Sequence, residues 1–127
     1  MAAFPAEIVA DIAEREEVEL ETTRRSGAKR KTIVWIVAEG PDVFVRSVRG
    51  EEGRWYQDLL ANPEGVFHFR GRPKLPPVPF RAFHTPDAES VARTTRALNA
   101  KYRGQGASLG SMLQEPVLPT TLRLEPL

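Results

Sequence analysis

The residues best equipped for chemistry in this chain are its clustered cations. Arg24, Arg25, Lys29, Arg30 and Lys31 place five positive charges within eight residues, around Ser26, Gly27 and Ala28. Charges this close repel one another, so the cluster reads either as a solvated hairpin tip or as a seat for a phosphate or other polyanion. Arginine suits the second use, because its planar fork gives bidentate charge-assisted bonds to phosphate oxygens. A second basic group follows at Arg46 and Arg49, beside Ser47 and just before Gly50 and Gly53. Alternation puts Arg46 on the same strand face as Phe44 and Val48, so its charge needs an ion-pair partner or a ligand.

Other chemistries are poorly supplied. The 127 residues include no cysteine and only two histidines, His68 and His84. Disulfides, thiolate metal sites and cysteine nucleophiles are therefore absent, and no metal is expected. Neither histidine has a serine or carboxylate at a spacing that marks a nucleophile–base pair. His68 alternates with Val66 and Arg70, opposite Phe67 and Phe69, and is expected to be exposed or hydrogen-bonded. His84 is expected to pair with Asp87. The net charge is +1, which excludes a generally basic nucleic-acid coat and leaves anion binding to local clusters. No apolar run approaches the roughly 20 residues that span a bilayer. Met1 to Glu17 lacks the basic and apolar regions of a signal peptide, so a cytoplasmic protein without membrane partners is expected.

The elements that must position these cations follow from periodicity. Residues 1–127 are expected to form one domain. Phe4, Ile8 and Ile12 recur at helical spacing after Pro5, predicting a packing helix within 1–16. From Glu17 the period becomes two, with Val18, Leu20 and Thr22 inward and Glu17, Glu19 and Glu21 outward. Ile33 to Ala38 is apolar on both faces and predicts a central, doubly covered strand with Trp35 in the core. Glu39-Gly40-Pro41-Asp42 is a turn into an antiparallel partner, Val43 to Val48.

A helix is predicted over 51–61, with Trp55, Tyr56, Leu59 and Leu60 as its apolar stripe and Asn62-Pro63 as its stop. Strands follow over 66–70 and 78–84, closing a barrel region of 17–84. Thr85 as N-cap with Pro86 at the first position predicts a helix over 85–103. That helix should carry a Glu89–Arg93 pair. Gln105 to Pro116 reads as a loop anchored by Met112 and Leu113, and 117–125 as the last strand. About six strands with hairpins dominating indicate a mainly β, α+β fold: a six-stranded antiparallel barrel with peripheral helices.

Particular residues then add a resemblance. Thr22-Thr23-Arg24-Arg25-Ser26-Gly27-Ala28-Lys29-Arg30 is similar to the Thr-Thr-Gly-Arg-Lys-Ser-Gly-x-Pro-Arg pattern of the flavin/deazaflavin oxidoreductases with a split β-barrel, the pyridoxamine-phosphate-oxidase-like superfamily. Val43-Phe44-Val45-Arg46-Ser47, Gly50, Trp55-Tyr56, Asp58-Leu59 and Ala61-Asn62-Pro63 resemble that family's second strand and its Trp-Tyr-x-x-Leu-x-x-Asn-Pro helix. The likeness spans about Glu21 to Phe69 and is closest to a branch of unknown function related to deazaflavin-dependent nitroreductases. It implies a six-stranded split barrel, usually a homodimer, that binds FMN or a deazaflavin coenzyme in an interface groove. By position it implies phosphate contacts from Arg25, Lys29 and Arg30 of the hairpin and from Arg46, Ser47 and Arg49. Thr32 and Ile33 would lie where backbone meets the cofactor ring.

Two further classes compete with the oxidoreductase. One is a non-catalytic split barrel that binds an anionic small molecule. The other is an RNA or single-strand binder built on Arg24 to Lys31. The latter needs aromatics interleaved with the cations, and the segment has none before Trp35, so nucleic acid ranks last.

Overall fold

A computed structural model describes residues 3–127. The first helix, α1 (Ala6–Glu14), buries Ile12 and is followed by β1 (Glu17–Thr23), whose Val18, Leu20 and Thr22 point inward as their alternation requires. The chain then forms β2 (Lys29–Trp35), β3 (Val37–Glu39) and β4 (Asp42–Val45). A 3-10 turn at Gly50–Glu52 leads into α2 (Arg54–Ala61), and β5 (Glu64–Phe69) and β6 (Val78–His84) come next. The C-terminal part holds α3 (Ala88–Lys101), α4 (Ala107–Met112), a 3-10 turn at Glu115–Thr120 and β7 (Leu122–Pro126).

All seven strands belong to one antiparallel sheet in the order β2-β1-β5-β6-β7-β4-β3. The order places β2 and β3 at opposite ends of the sheet, yet a single residue, Ile36, joins them in the chain. Two ends tied by one residue must lie side by side, so the sheet curls into a split barrel. The expected strand from Ile33 to Ala38 is therefore two strands, and the count among the described residues is seven rather than six. The physical reason is the bend at Ile36. β2 pairs outward to β1, whereas β3 pairs to β4.

The same topology corrects the burial expected for this segment. β2 is an end strand, and Ile33 is 45% exposed instead of covered on both faces. The apolar interior is formed chiefly by Val18, Leu20, Phe67, Phe80, Leu122 and Leu124. A second cluster lies under α3, where Val37, Phe44, Ala97, Leu98, Tyr102 and Met112 are buried. Trp35 is only partly buried at the margin of this second cluster, stacked on Tyr102 at 3.9 Å between ring centres.

Several local expectations move by a turn or change partner. The N-cap of α3 is Asp87, which accepts from the Ser90 N–H. Thr85 does not cap it: its N–H and hydroxyl both donate to the Thr121 carbonyl, extending the β6–β7 edge. Arg93 pairs with Asp42 at 2.9 Å rather than with Glu89. His84 contacts the Tyr56 hydroxyl and the Pro119 carbonyl instead of Asp87. His68 is hydrogen-bonded to Glu21 at 3.0 Å. The stretch read as loop before Pro116 contains α4, with Met112 buried as an anchor. No helix among the described residues is long and apolar enough to cross a membrane.

Candidate functional site

The outer side of β2 and the loop leaving β4 enclose a cavity of about 550 Å³. That volume lies within the roughly 300–1,000 Å³ usual for small-molecule and cofactor sites. One wall is β2 itself, from Arg30 to Trp35, a span of about 17 Å for extended chain. A second wall is Arg46, Ser47, Val48 and Arg49 with the start of α2 at Gly53, Arg54 and Trp55. Ser108, Ser111 and Met112 of α4 close a third side.

Six residues singled out from sequence meet here: Arg30, Thr32, Ile33, Arg46, Ser47 and Arg49. Arg25 and Lys29 do not line this cavity. Arg25 faces a neighbouring polar hollow with Arg24, Gln57 and Asp58, and Lys29 donates to the Thr23 hydroxyl. Arg30 borders both spaces. Its Nε donates to Asp58 at 2.7 Å, and the same carboxylate oxygen accepts from the Thr22 hydroxyl at 2.8 Å. That pairing leaves Arg30's two terminal nitrogens without a partner among the described residues.

Arg46 has the least ordinary setting. It is 2% exposed and has no carboxylate partner among the described residues. Its guanidinium donates to the Thr121 and Thr95 hydroxyls and to the Met112 and Val91 carbonyls, at 3.0–3.2 Å. Those four bonds satisfy geometry and leave the charge uncompensated, and burial pulls its pKa down to about 10. A buried cation bordering a cavity makes the space attractive to an anion.

The loop beside Arg46 is built for close approach. Ser47 donates its hydroxyl to the Gly50 carbonyl at 2.8 Å, so it acts within the loop. Gly50 holds φ +65°, and a Cβ on Gly53 would collide with the Ser47 hydroxyl. Gly53 is also the N-cap of α2, and no side chain caps that helix. The first N–H groups of α2 thus open at the cavity wall with the positive end of the helix dipole. Glu51 and Glu52, adjacent in sequence, do not line the cavity.

The lining is cationic overall, with Arg30, Lys31, Arg46, Arg49 and Arg54 against the single carboxylate of Glu17. Glu17 and the α4 serines were not singled out as site residues from sequence: the pairing of β1 with β2 places Glu17, and tertiary packing places the serines. The β1–β2 register sets Glu17 directly across from Trp35. Trp55 is buried in the core, as its helix pattern predicted, while one side reaches the cavity. The described residues contain no cluster of three or more potential metal ligands.

No curated protein matches the chain. Among solved structures it is similar to the haem storage protein HutZ from Vibrio cholerae, with a TM-score of 0.67 and 17% identity over 100% of this chain and 92% of that one. It is also similar to the conserved hypothetical protein Rv2991 from Mycobacterium tuberculosis, with a TM-score of 0.70 and 14% identity over 98% and 79% of the two chains. An F420 reductase matches with a TM-score of 0.61 and 18% identity over 98% and 96%. At these identities the likeness is one of fold, and the fold is the split barrel expected from the hairpin and helix motifs. The model of one family, described as uncharacterized proteins conserved in bacteria, matches residues 8–124, and the chain belongs to that family, DUF2255.

Proposed function

We propose that the chain is a homodimeric oxidoreductase that holds FMN or a deazaflavin coenzyme beside β2 and serves hydride transfer to or from a small organic acceptor. The observation that carries this reading is convergence. Arg30, Thr32 and Ile33 of β2 and Arg46, Ser47 and Arg49 of the loop after β4, two separate stretches of chain, border one cavity of cofactor size. Its residues fit the group. Arg49 and Arg54 offer guanidinium forks to a phosphate, backed by the Arg46 charge and the open N–H groups of α2. β2 is an end strand, so the backbone groups of its free edge near Thr32 and Ile33 are available to ring heteroatoms.

When bound, the flavin-type ring supplies the redox chemistry, and the protein's share is to bind, orient and shield it. Trp35, Trp55 and Val48 provide the apolar surface that excludes water. Ile33 and Val48 remain exposed at the cavity mouth, and a second copy of the chain would cover them. Haem is not carried over from HutZ, since the cavity lining contains no histidine or cysteine to ligate iron.

A thermal-shift panel of FMN, riboflavin, a deazaflavin coenzyme and haem tests the reading. A ligand at a hundred times its Kd adds about 2.7 kcal/mol of stability. FMN or the deazaflavin should raise Tm, with riboflavin and haem behind. No response to any flavin at saturating concentration overturns it.

A further inference from the structure

One corner of the cavity differs in chemistry from the rest. Glu17 and Trp35 face each other across β1 and β2, so their side chains leave the same side of the sheet. Trp35 is held by its stack on Tyr102, nearly parallel at 4° between ring planes, and still borders the cavity. The Tyr102 hydroxyl donates to the Glu16 carbonyl at 2.6 Å, and Gln105 donates to the Glu16 carboxylate at 3.0 Å. These bonds tie the segment leading into α4 to the residue before Glu17, and Ser108 and Ser111 of α4 line the same cavity. Ser111 donates to the Ala107 carbonyl, while the Ser108 hydroxyl has no partner among the described residues.

The Glu17 carboxylate likewise has no hydrogen-bond or ion-pair partner among the described residues. It is the single anion of the lining, at the opposite end of the β2 wall from Arg30. The separation of about 17 Å is roughly twice the Debye length of about 8 Å at physiological salt, so Arg30 does not neutralise it. An aromatic face, a free carboxylate and a free hydroxyl together favour a flat molecule bearing a positive or N–H-donating group.

We infer that this corner is a second subsite, which takes a planar aromatic or heteroaromatic molecule carrying an amidine, amine or similar N–H donor. The ring lies on Trp35 and the donor group reaches Glu17, with Ser108 completing the contact. The inference deepens the proposed function and rests on it for the subsite's role, that of holding the second reactant. Its existence as a binding site stands on the corner's own residues.

The test uses the cofactor-free chain and two flat probes of opposite charge, benzamidine and benzoate, followed by amide and indole NMR shifts. Benzamidine should shift Trp35, Ser108 and Ser111, and benzoate should shift Ser47, Gly53 and Arg54 instead. Glu17→Gln should weaken benzamidine about tenfold, the scale of one charge-assisted hydrogen bond, and leave benzoate unchanged. Ser108→Ala, at an exposed helix position, should weaken benzamidine by about threefold. Benzoate in the Trp35 corner, no benzamidine shifts there, or equal affinity in both variants overturns the inference. A parallel titration with FMN and with a deazaflavin coenzyme separates the two claims: binding of neither, with benzamidine binding intact, sinks only the cofactor reading.

Discussion

At the scale of single residues, the anion seat rests on cations with different obligations. Arg49 is exposed and lines the cavity with no partner of its own among the described residues, so its loss should touch only a ligand. Arg30 also neutralises Asp58, which is largely buried, so Arg30→Ala should lower stability as well as affinity. Lys29 donates to Thr23 away from the cavity, and Lys29→Ala should leave FMN affinity within about twofold, as an exposed side chain with no ligand contact should. Arg46→Met should destabilise the fold by more than about 2 kcal/mol, because the buried Met112 carbonyl and Thr121 hydroxyl lose a donor at about 1–3 kcal/mol each, and the part-buried Val91 carbonyl loses one as well. Chemical denaturation of the variant checks this, and an unchanged midpoint would contradict the buried network.

At the scale of elements, the joint between β2 and β3 is secured by the end of α3. Lys101 donates to the Ile12 and Ile36 carbonyls, and the Tyr102 hydroxyl binds both the N–H and the carbonyl of Ile36. Burial lowers the Lys101 pKa to about 8, against the opposing pull of Asp11 and Glu16, and raises that of Tyr102. Between about pH 8 and 10 the unfolded chain therefore holds a proton that native Lys101 has released, and stability should rise with pH. Above pH 10 Tyr102 contributes with the opposite sign, since native Tyr102 keeps a proton the unfolded chain loses. Urea midpoints at pH 7.5 and 9.5 should show the rise in the wild type and a flatter profile in Lys101→Met. A fall over that interval would contradict the buried setting of Lys101.

The same elements show what sequence alone could disclose. The face of β1, the Gly40 turn and the stop at Asn62-Pro63 follow from local periodicity and turn chemistry, whereas the grouping of Arg46, Ser47 and Arg49 is implied by the family resemblance. The exposure of Ile33 follows from neither, because an apolar run looks alike in a central strand and in an end strand that lines a cavity. The bend at Ile36 is likewise silent, since it is imposed by which strands pair on either side. Local rules also offered Glu89 to Arg93 and Thr85 to α3, but Asp42 and the Thr121 carbonyl, distant in sequence, took those groups. α4 is six residues rich in glycine and serine, too short for helical periodicity to register.

At the scale of the whole molecule, the split barrel leaves its cavity open on the side where Ile33 and Val48 are exposed. A homodimer burying at least about 1,200 Å² across that face would close it. Sedimentation at micromolar concentration should report a dimer, and Ile33→Lys should shift it towards monomer and weaken FMN together. A monomeric wild type would remove the interface from the account and leave the cavity as a surface groove.

The most direct measurement compares FMN with riboflavin, which lacks the phosphate, by fluorescence titration of the wild type and Arg49→Ala. The wild type should bind FMN more tightly than riboflavin, and added salt should narrow that difference. Arg49→Ala should weaken FMN by about 1.5–3 kcal/mol, the worth of a hydrogen bond to a charged group, and leave riboflavin nearly unchanged. Equal affinity for the two flavins in the wild type, or equal losses in the variant, would contradict a phosphate seat at Arg46–Arg49.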